Sequence, residues 1–231
     1  MNRVASAVVL LSGGLDSATA ALLATERADE VHALTFDYQQ RHDIEISCAK
    51  RIATALGLTS HRITSIDSQF FQGSALTDDV EVPLATETSD TSIPSTYVPA
   101  RNTIFLAYAI ALAEITASEE IYIGVTSVDY SGYPDCRPEY IAAFNTVASL
   151  ATKAAVEDDH PVTIQAPLVH LSKASIIQLG IDRGFDYSLT NSCYTPNNQG
   201  HACGTCEACH HRQIGFRDAH LPDPTHYASP A

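Results

Sequence analysis

The 231-residue sequence has no tryptophan, one methionine and only three lysines, Lys50, Lys153 and Lys173. Basic residues number 13 against 27 acidic ones, a formal net charge of −14. A surface that grips RNA or DNA by its phosphates has to be positive, so this balance argues against a nucleic-acid partner. No apolar run reaches the roughly 18 residues that mark a membrane-crossing helix. The apolar stretch near the N-terminus is short and lacks a small-residue cleavage pattern, so it reads as a first strand of a cytoplasmic protein rather than a leader. With lysine so scarce, any lysine beside a motif is a candidate for a specific task.

What is present is an alternation of strand and helix patterns. AVVLL (7–11) is a continuous apolar run, the signature of a strand buried on both faces. DSATAALLATE (16–26) reads as a helix with small residues toward the sheet, and EVHALTFDY (30–38) as a second strand. DIEISCAKRIATALG (43–57) has helical period, ending at Gly57, and SHRITSI (60–66) is a short third strand. ARNTIFLAYAIALAEITA (100–117) is an apolar helix, EIYIGVT (120–126) a fourth strand, VTIQAPL (162–168) a fifth, and SKASIIQLGIDRG (172–184) a helix capped by Ser172. Strands alternating with helices predict an α/β fold with a parallel sheet. Residues 67–99, rich in Thr, Ser, Asp and Pro, break the rhythm as a long insert, a candidate lid. The reading is a single α/β domain over 1–231, with sheet and helices in 1–187 and a small C-terminal appendage in 188–231.

Directly behind the first strand stands SGGLDS (12–17). It lacks the lysine of the G-x-x-x-x-G-K-[ST] phosphate loop, and its adjacent glycines do not fit G-x-G-x-x-G. The physics of anion binding survives without lysine. Glycines let backbone N–H groups approach an anion, and the following helix N-terminus adds unpaired donors and partial positive charge. Ser12 and Ser17 add hydroxyls, and Asp16 is placed to hold a magnesium ion. The stretch resembles the pyrophosphate loop of the N-type ATP pyrophosphatase superfamily. That resemblance implies an adenine-nucleotide α-hydrolase, Rossmann-like fold: a five-stranded parallel sheet in the order 3-2-1-4-5, with ATP as substrate. It implies nucleotide contacts at Leu11, Ser12, Gly13, Gly14, Leu15, Asp16 and Ser17.

Four of the six cysteines crowd together. Cys193 is followed by Cys203, Cys206 and Cys209, the last three in C-x2-C-x2-C spacing. In a chain without secretory features such clustering favours metal over disulfides. Four thiolates close a tetrahedron around a structural zinc with no open position. Cys48 reads as a buried apolar residue within a helix. Cys136, in a loop after the fourth strand, reads as packing or substrate-lining.

Further stretches narrow the resemblance: FDYQQRH (36–42), STYVPARN (95–102), VDYSGYPDCRPE (128–139) and LATKAA (150–155). With SGGLDS and C-x9-C-x2-C-x2-C they are similar, in nearly the whole chain and in order, to the 7-cyano-7-deazaguanine synthase family of queuosine biosynthesis. Gln39 departs from the glycine common at that position. The resemblance implies that 7-carboxy-7-deazaguanine, ammonia and ATP give the nitrile by adenylation through an amide, with Mg²⁺ and one Zn²⁺ per chain, in a homodimer. No glutaminase domain is present, so free ammonia is the expected nitrogen source. Phe36, Tyr38, Arg41 and His42 are expected at the nucleotide, and Tyr133, Asp135 and Arg137 at the deazaguanine. Arg101, Lys153 and Lys173, with Asp16 and Ser17, are expected to stabilise charge in the transition state. Two alternatives stay open on the sequence: a tRNA-thiolating relative, and a nucleotide-binding homologue recruited for regulation or phage defence.

Overall fold

The computed structural model describes residues 3–38, 44–85, 93–126, 132–158 and 160–228. Within them the chain runs β1 (Val4–Leu10), α1 (Leu15–Arg27), β2 (Ala28–Asp37), α2 (Ile44–Ala55), β3 (Ser60–Ser65), α3 (Arg101–Ile115), β4 (Glu120–Tyr122), α4 (Pro138–Ala151), α5 (Lys153–Glu157), β5 (Thr163–Gln165), α6 (Lys173–Ile181) and α7 (Glu207–Asp218). The strands form one parallel sheet in the order β3-β2-β1-β4-β5, as the sequence implied. The order reverses at β1, and in open α/β sheets the crevice at such a reversal is where ligands bind. β4 and β5 are each shorter than their apolar runs, although the Ile123 N–H just past β4 still donates to the Gln165 carbonyl at 3.0 Å.

Alternation along β1 divides the core, since successive strand side chains point to opposite faces. Ala7, Val9 and Leu11 pack with α1, α2, α6 and Phe216 of α7. Small residues let α1 lie close to the sheet: Ala18, Ala20, Ala21 and Ala24 are all fully buried. Val8 and Leu10 face the other way, onto Leu106, Ala109, Leu112 and Ala113 of α3 and Ile141 of α4. One face of the sheet thus carries four helices and the other α3 and α4. Ser172 caps α6, its hydroxyl accepting from the Ser175 N–H at 3.2 Å. Among the described residues, no helix is long and apolar enough to cross a membrane.

The insert 67–99 is more tied down, in its described parts, than its composition suggested. It contains a 3-10 turn, Ser68–Phe71, and buries Phe71, Ala75, Val82 and Val98, while Phe70, Val80, Leu84 and Ile93 are exposed. Leu84 bridges Cys206, and the Ala85 N–H donates to the Thr205 carbonyl at 3.0 Å. The C-terminal segment likewise packs into the body of the molecule. Arg212 is buried and donates to Thr190 Oγ1 at 2.7 Å, the Tyr187 carbonyl at 3.1 Å and Asp223 Oδ1 at 3.0 Å.

Candidate active site

The crevice at the C-terminal ends of β1, β2 and β4 is a cavity of about 270 Å³. Its floor is the turn from β1 into α1. Gly13 has φ +91°, and a Cβ there would lie 2.2 Å from the Glu45 carbonyl oxygen, so both conformation and contact demand glycine. A Cβ on Gly124, after β4, would lie 2.8 Å from Ser17 N, so two strand ends meet over the turn only because that position is bare. Gly14 is the N-cap of α1 and supplies no side-chain cap. The first amides of α1 therefore face the cavity with the positive end of the helix dipole behind them. Hydroxyls ring this terminus. Ser17 Oγ accepts from the Ser12 N–H at 3.1 Å and pairs with Ser12 Oγ at 2.9 Å, while Leu15 N–H points at Ser192 Oγ at 3.4 Å. Lys173, the first residue of α6, brings Nζ to 2.8 and 2.7 Å from the two carboxylate oxygens of Asp16. Two residues far apart in sequence thus make one charge pair at the loop, with both side chains largely shielded.

The wall opposite is built from β2, α2 and α3. Phe36 stacks on Phe105 with centroids 4.0 Å apart, and Tyr38 packs against Phe71 at 4.9 Å. Arg101 opens α3, hydrogen-bonds Tyr38 and lines the cavity together with Glu45. Burial pushes the Glu45 carboxyl up to about 7, with Arg101 opposing. Burial likewise raises the Tyr38 phenol. The start of α3 is fixed from behind. Asp135 Oδ2 accepts from the Asn102 N–H at 2.9 Å, and Asn102 Nδ2 donates to the Asp135 carbonyl at 3.0 Å and to Cys136 Sγ at 3.3 Å. A side cavity of about 50 Å³ continues past Arg101 toward Tyr97, Tyr133 and Tyr194.

The third wall is the cysteine unit. The Sγ atoms of Cys193, Cys203, Cys206 and Cys209 all lie within 4.8 Å of one another. Backbone N–H groups point at them: Thr195 and Cys203 at Cys193 Sγ (3.3 and 3.1 Å), Thr205 and Cys206 at Cys203 Sγ (3.4 and 3.3 Å). Burial works against a thiolate at Cys203, but hydrogen bonds from Thr195 and Thr205 outweigh it and lower its pKa. Four converging sulfurs supplied with donors suit a thiolate-bound metal such as zinc. The unit is wired to the loop. The Asn191 N–H donates to the Gly13 carbonyl at 3.1 Å, and Asn191 Oδ1 accepts from the Cys193 N–H at 2.9 Å.

The structure therefore brings Leu11, Ser12, Gly14, Leu15, Asp16, Ser17, Phe36, Tyr38, Arg101 and Tyr133 to one cavity, with Gly13 shaping its floor and Lys173 reaching it through Asp16. Arg41 and His42 lie outside the described residues. Two expected residues, Lys153 and Arg137, lie away from the cavity, and a third, Asp135, lies at its side extension. Lys153 is not at the cavity: the helix breaks at Thr152, and the Lys153 side chain is exposed and pairs with Glu157 at 3.4 Å. Arg137 is the N-cap position of α4, with an exposed side chain outside the cavity. Asp135 is buried beside Arg101 and lines the side cavity with Tyr133, one carboxylate oxygen accepting from the Asn102 amide. Conversely, Glu45, Phe105, Asn191, Ser192 and Tyr194 line the cavity without having been singled out. For Asn191 and Ser192 a signal existed, since they directly precede Cys193.

The family model described as queuosine biosynthesis protein QueC matches residues 6–220. A 7-cyano-7-deazaguanine synthase of Desulfatibacillum aliphaticivorans is 56% identical over 223 residues, covering 96% of each chain. One of Syntrophus aciditrophicus is 56% identical over 226 residues, covering 97% of this chain and 98% of the relative. Among solved structures, an NMN synthetase from Francisella tularensis aligns with a TM-score of 0.51 at 15% identity, covering 95% of this chain and 78% of that one. At that identity the likeness concerns the fold alone.

Proposed function

The chain belongs to the queuosine biosynthesis protein QueC family, and from that premise we propose that it is an ATP-dependent 7-cyano-7-deazaguanine synthase. It converts 7-carboxy-7-deazaguanine and ammonia to the nitrile in the cytoplasm, as a single ATP-binding α/β unit that pairs into a homodimer. The observation that carries this reading is the juxtaposition, in one cavity, of a helix-terminus anion loop and Arg101.

A carboxylate is a poor electrophile, so the acid is first activated. Its oxygen attacks the α-phosphorus of ATP, the bond to pyrophosphate breaks, and an acyl adenylate forms. The amides of Gly14 to Ser17 and the hydroxyls of Ser12 and Ser17 hold the departing pyrophosphate. Preorganised donors of this kind act most strongly where water is excluded. Asp16, whose carboxylate Lys173 also holds, would supply one carboxylate for Mg²⁺. That suits an ion usually bound by one or two carboxylates plus substrate phosphates, and bound Mg²⁺ supplies neutralisation of phosphate charge. Lys173, held by Asp16, places a second positive charge at the same point. Phe36 and Tyr38 present aromatic surface to a planar base. Arg101 receives the substrate carboxylate, Tyr133 borders the deazaguanine, and Asp135 acts by fixing the start of α3. Ammonia then displaces AMP to give the amide. Attack of the amide oxygen on the α-phosphorus of a second ATP releases pyrophosphate, and loss of AMP and of both N–H protons gives the nitrile. No protein nucleophile is needed, which agrees with Cys136 being buried and engaged by Asn102.

Cys193, Cys203, Cys206 and Cys209 would hold one Zn²⁺ that fastens the 191–194 wall. Purified chain incubated with the carboxy compound, ATP, Mg²⁺ and ammonium should yield the nitrile with AMP and pyrophosphate. Absence of nitrile from protein carrying one zinc per chain would refute the assignment.

A further inference from the structure

Forming the acyl adenylate releases no proton, because the carboxylate is already ionised. Every later stage does. Displacement of AMP by ammonia releases one N–H proton, and conversion of the amide to the nitrile releases two. Where water is excluded, the protein has to supply a base for them. The described residues offer few. Asp16 is the partner of Lys173. Asp135 lies in the side cavity and gives an oxygen to the Asn102 amide. Tyr38 is held by Arg101, Cys136 Sγ accepts from Asn102, and the Tyr133 hydroxyl pairs with Thr96 Oγ1 at 2.9 Å.

Glu45 is different. It stands in the first turn of α2 and lines the main cavity. Its backbone carbonyl rests against Gly13 in the space a Cβ there would fill, so the residue is fixed over the pyrophosphate floor. Among the described residues, no hydrogen bond or ion pair engages its carboxylate, and its charged neighbour is Arg101, the group assigned to the substrate carboxylate. We infer that Glu45 is the base that accepts the N–H protons in both nitrogen steps. The inference rests on the reaction proposed above. In amide formation the ammonia nitrogen bonds to the acyl carbon. An N–H proton passes to a Glu45 carboxylate oxygen, and the C–O bond breaks with its electron pair leaving on AMP. In nitrile formation Glu45 takes one N–H proton after the amide oxygen is adenylated and the other as AMP departs. It hands each proton to water before accepting the next. Burial holds the carboxyl near 7, a basicity suited to taking and releasing a proton at neutral pH. The groups facing it do not compete for the task. Arg101 of α3 stays protonated, burial keeps the Tyr38 phenol of β2 and the Cys48 thiol of α2 neutral, and Asp16 across the floor is tied to Lys173.

Glu45→Gln keeps the shape of the side chain and removes the base. With the carboxy compound, ATP and Mg²⁺ but no ammonia, it should exchange labelled pyrophosphate into ATP within about threefold of the unmodified chain, since adenylation needs no base. Its nitrile formation from the synthetic amide, ATP and Mg²⁺ should fall by at least about a hundredfold. The rate of the unmodified chain on that amide, where no ammonia titrates, should rise with pH and level off above about 7, and the glutamine variant should lack that rise. Far-UV circular dichroism checks folding, and Glu45→Ala is read the same way if the glutamine variant misfolds. Exchange that falls in step with nitrile formation, or nitrile formation that stays within about tenfold, refutes the role of Glu45 and leaves the assigned reaction standing. An unmodified chain that gives neither exchange nor nitrile refutes the assigned reaction and this inference together.

Discussion

The floor of the cavity and the wall facing it are made in different ways. The floor is one contiguous hexapeptide, residues 12–17, whose function comes from backbone direction, a helix terminus and two hydroxyls. The wall is assembled from Tyr38, Glu45, Arg101 and residues 191–194, which meet only because the sheet order and the cysteine unit bring them together. The floor tolerates little because its backbone is the functional group. The wall works through side chains held by partners, so its changes should be graded and separable.

The largest effect should come from Gly13→Ala. The added methyl would meet the Glu45 carbonyl in a backbone conformation that L side chains rarely adopt. Pyrophosphate release should fall by about a thousandfold or more in protein whose far-UV circular dichroism is unchanged. Activity within tenfold of the unmodified chain would show that the turn does not carry the reaction. Next come Asp16→Ala and Lys173→Met, each expected to cost on the order of a hundredfold in the same assay. Because the two are paired, the double variant should lose far less than the product of the single losses. Full multiplicativity would mean that they act separately.

The wall should answer differently. Cys206→Ser should abolish stoichiometric zinc and lower Tm by about 10 °C, as expected for loss of a few kcal/mol in a domain of this size. Since Asn191 links the unit to Gly13, some activity should be lost with it, but less than in the floor variants. A Tm unchanged by the substitution would remove the structural role. Glu45→Gln should act through pH. Burial holds the folded carboxyl near 7 against an ordinary 4.5. The folded chain therefore binds that proton more tightly than the unfolded one. The stabilisation is complete below about pH 4.5 and is lost as pH rises through about 7. The glutamine variant should gain a few degrees in Tm relative to the unmodified protein between pH 5 and pH 8. A difference independent of pH would place Glu45 at an ordinary carboxylate position.

The same contrast explains what the sequence disclosed. The floor was legible because its chemistry is local: strand, two glycines, serines and helix are adjacent in the chain. The cysteine ligands were legible because metal spacing is short. The parallel sheet followed from the alternation of strand and helix, and its order from the family resemblance. Glu45 was not legible, since one acidic residue in the first turn of a helix looks like any other. Its place was fixed by Gly13 turning onto its carbonyl. Lys153 looked functional because lysine is rare here, yet the helix break at Thr152 turns it to solvent. Asp135, read as a ligand for the base, lines the side cavity beside Arg101 and Tyr133 and gives one carboxylate oxygen to the Asn102 amide. Rarity and loop position were informative about candidates, and the hydrogen-bond partners separated them.

The central claim is that one cavity performs both activations, acid to amide and amide to nitrile. The described chain has one pyrophosphate loop, and both steps require attack of a carbonyl-derived oxygen on the α-phosphorus. Acid and amide have nearly the same shape, so the groups around Arg101 can hold either. The direct test supplies the synthetic amide with ATP and Mg²⁺ and no ammonia, to the unmodified chain and to Asp16→Ala. The account predicts nitrile from the unmodified chain, with one AMP and one pyrophosphate per nitrile, and a loss in the variant equal to its loss with the acid. An amide that stays inert while the acid and ammonia still give nitrile, or an Asp16→Ala variant that loses only one of the two activations, would contradict it.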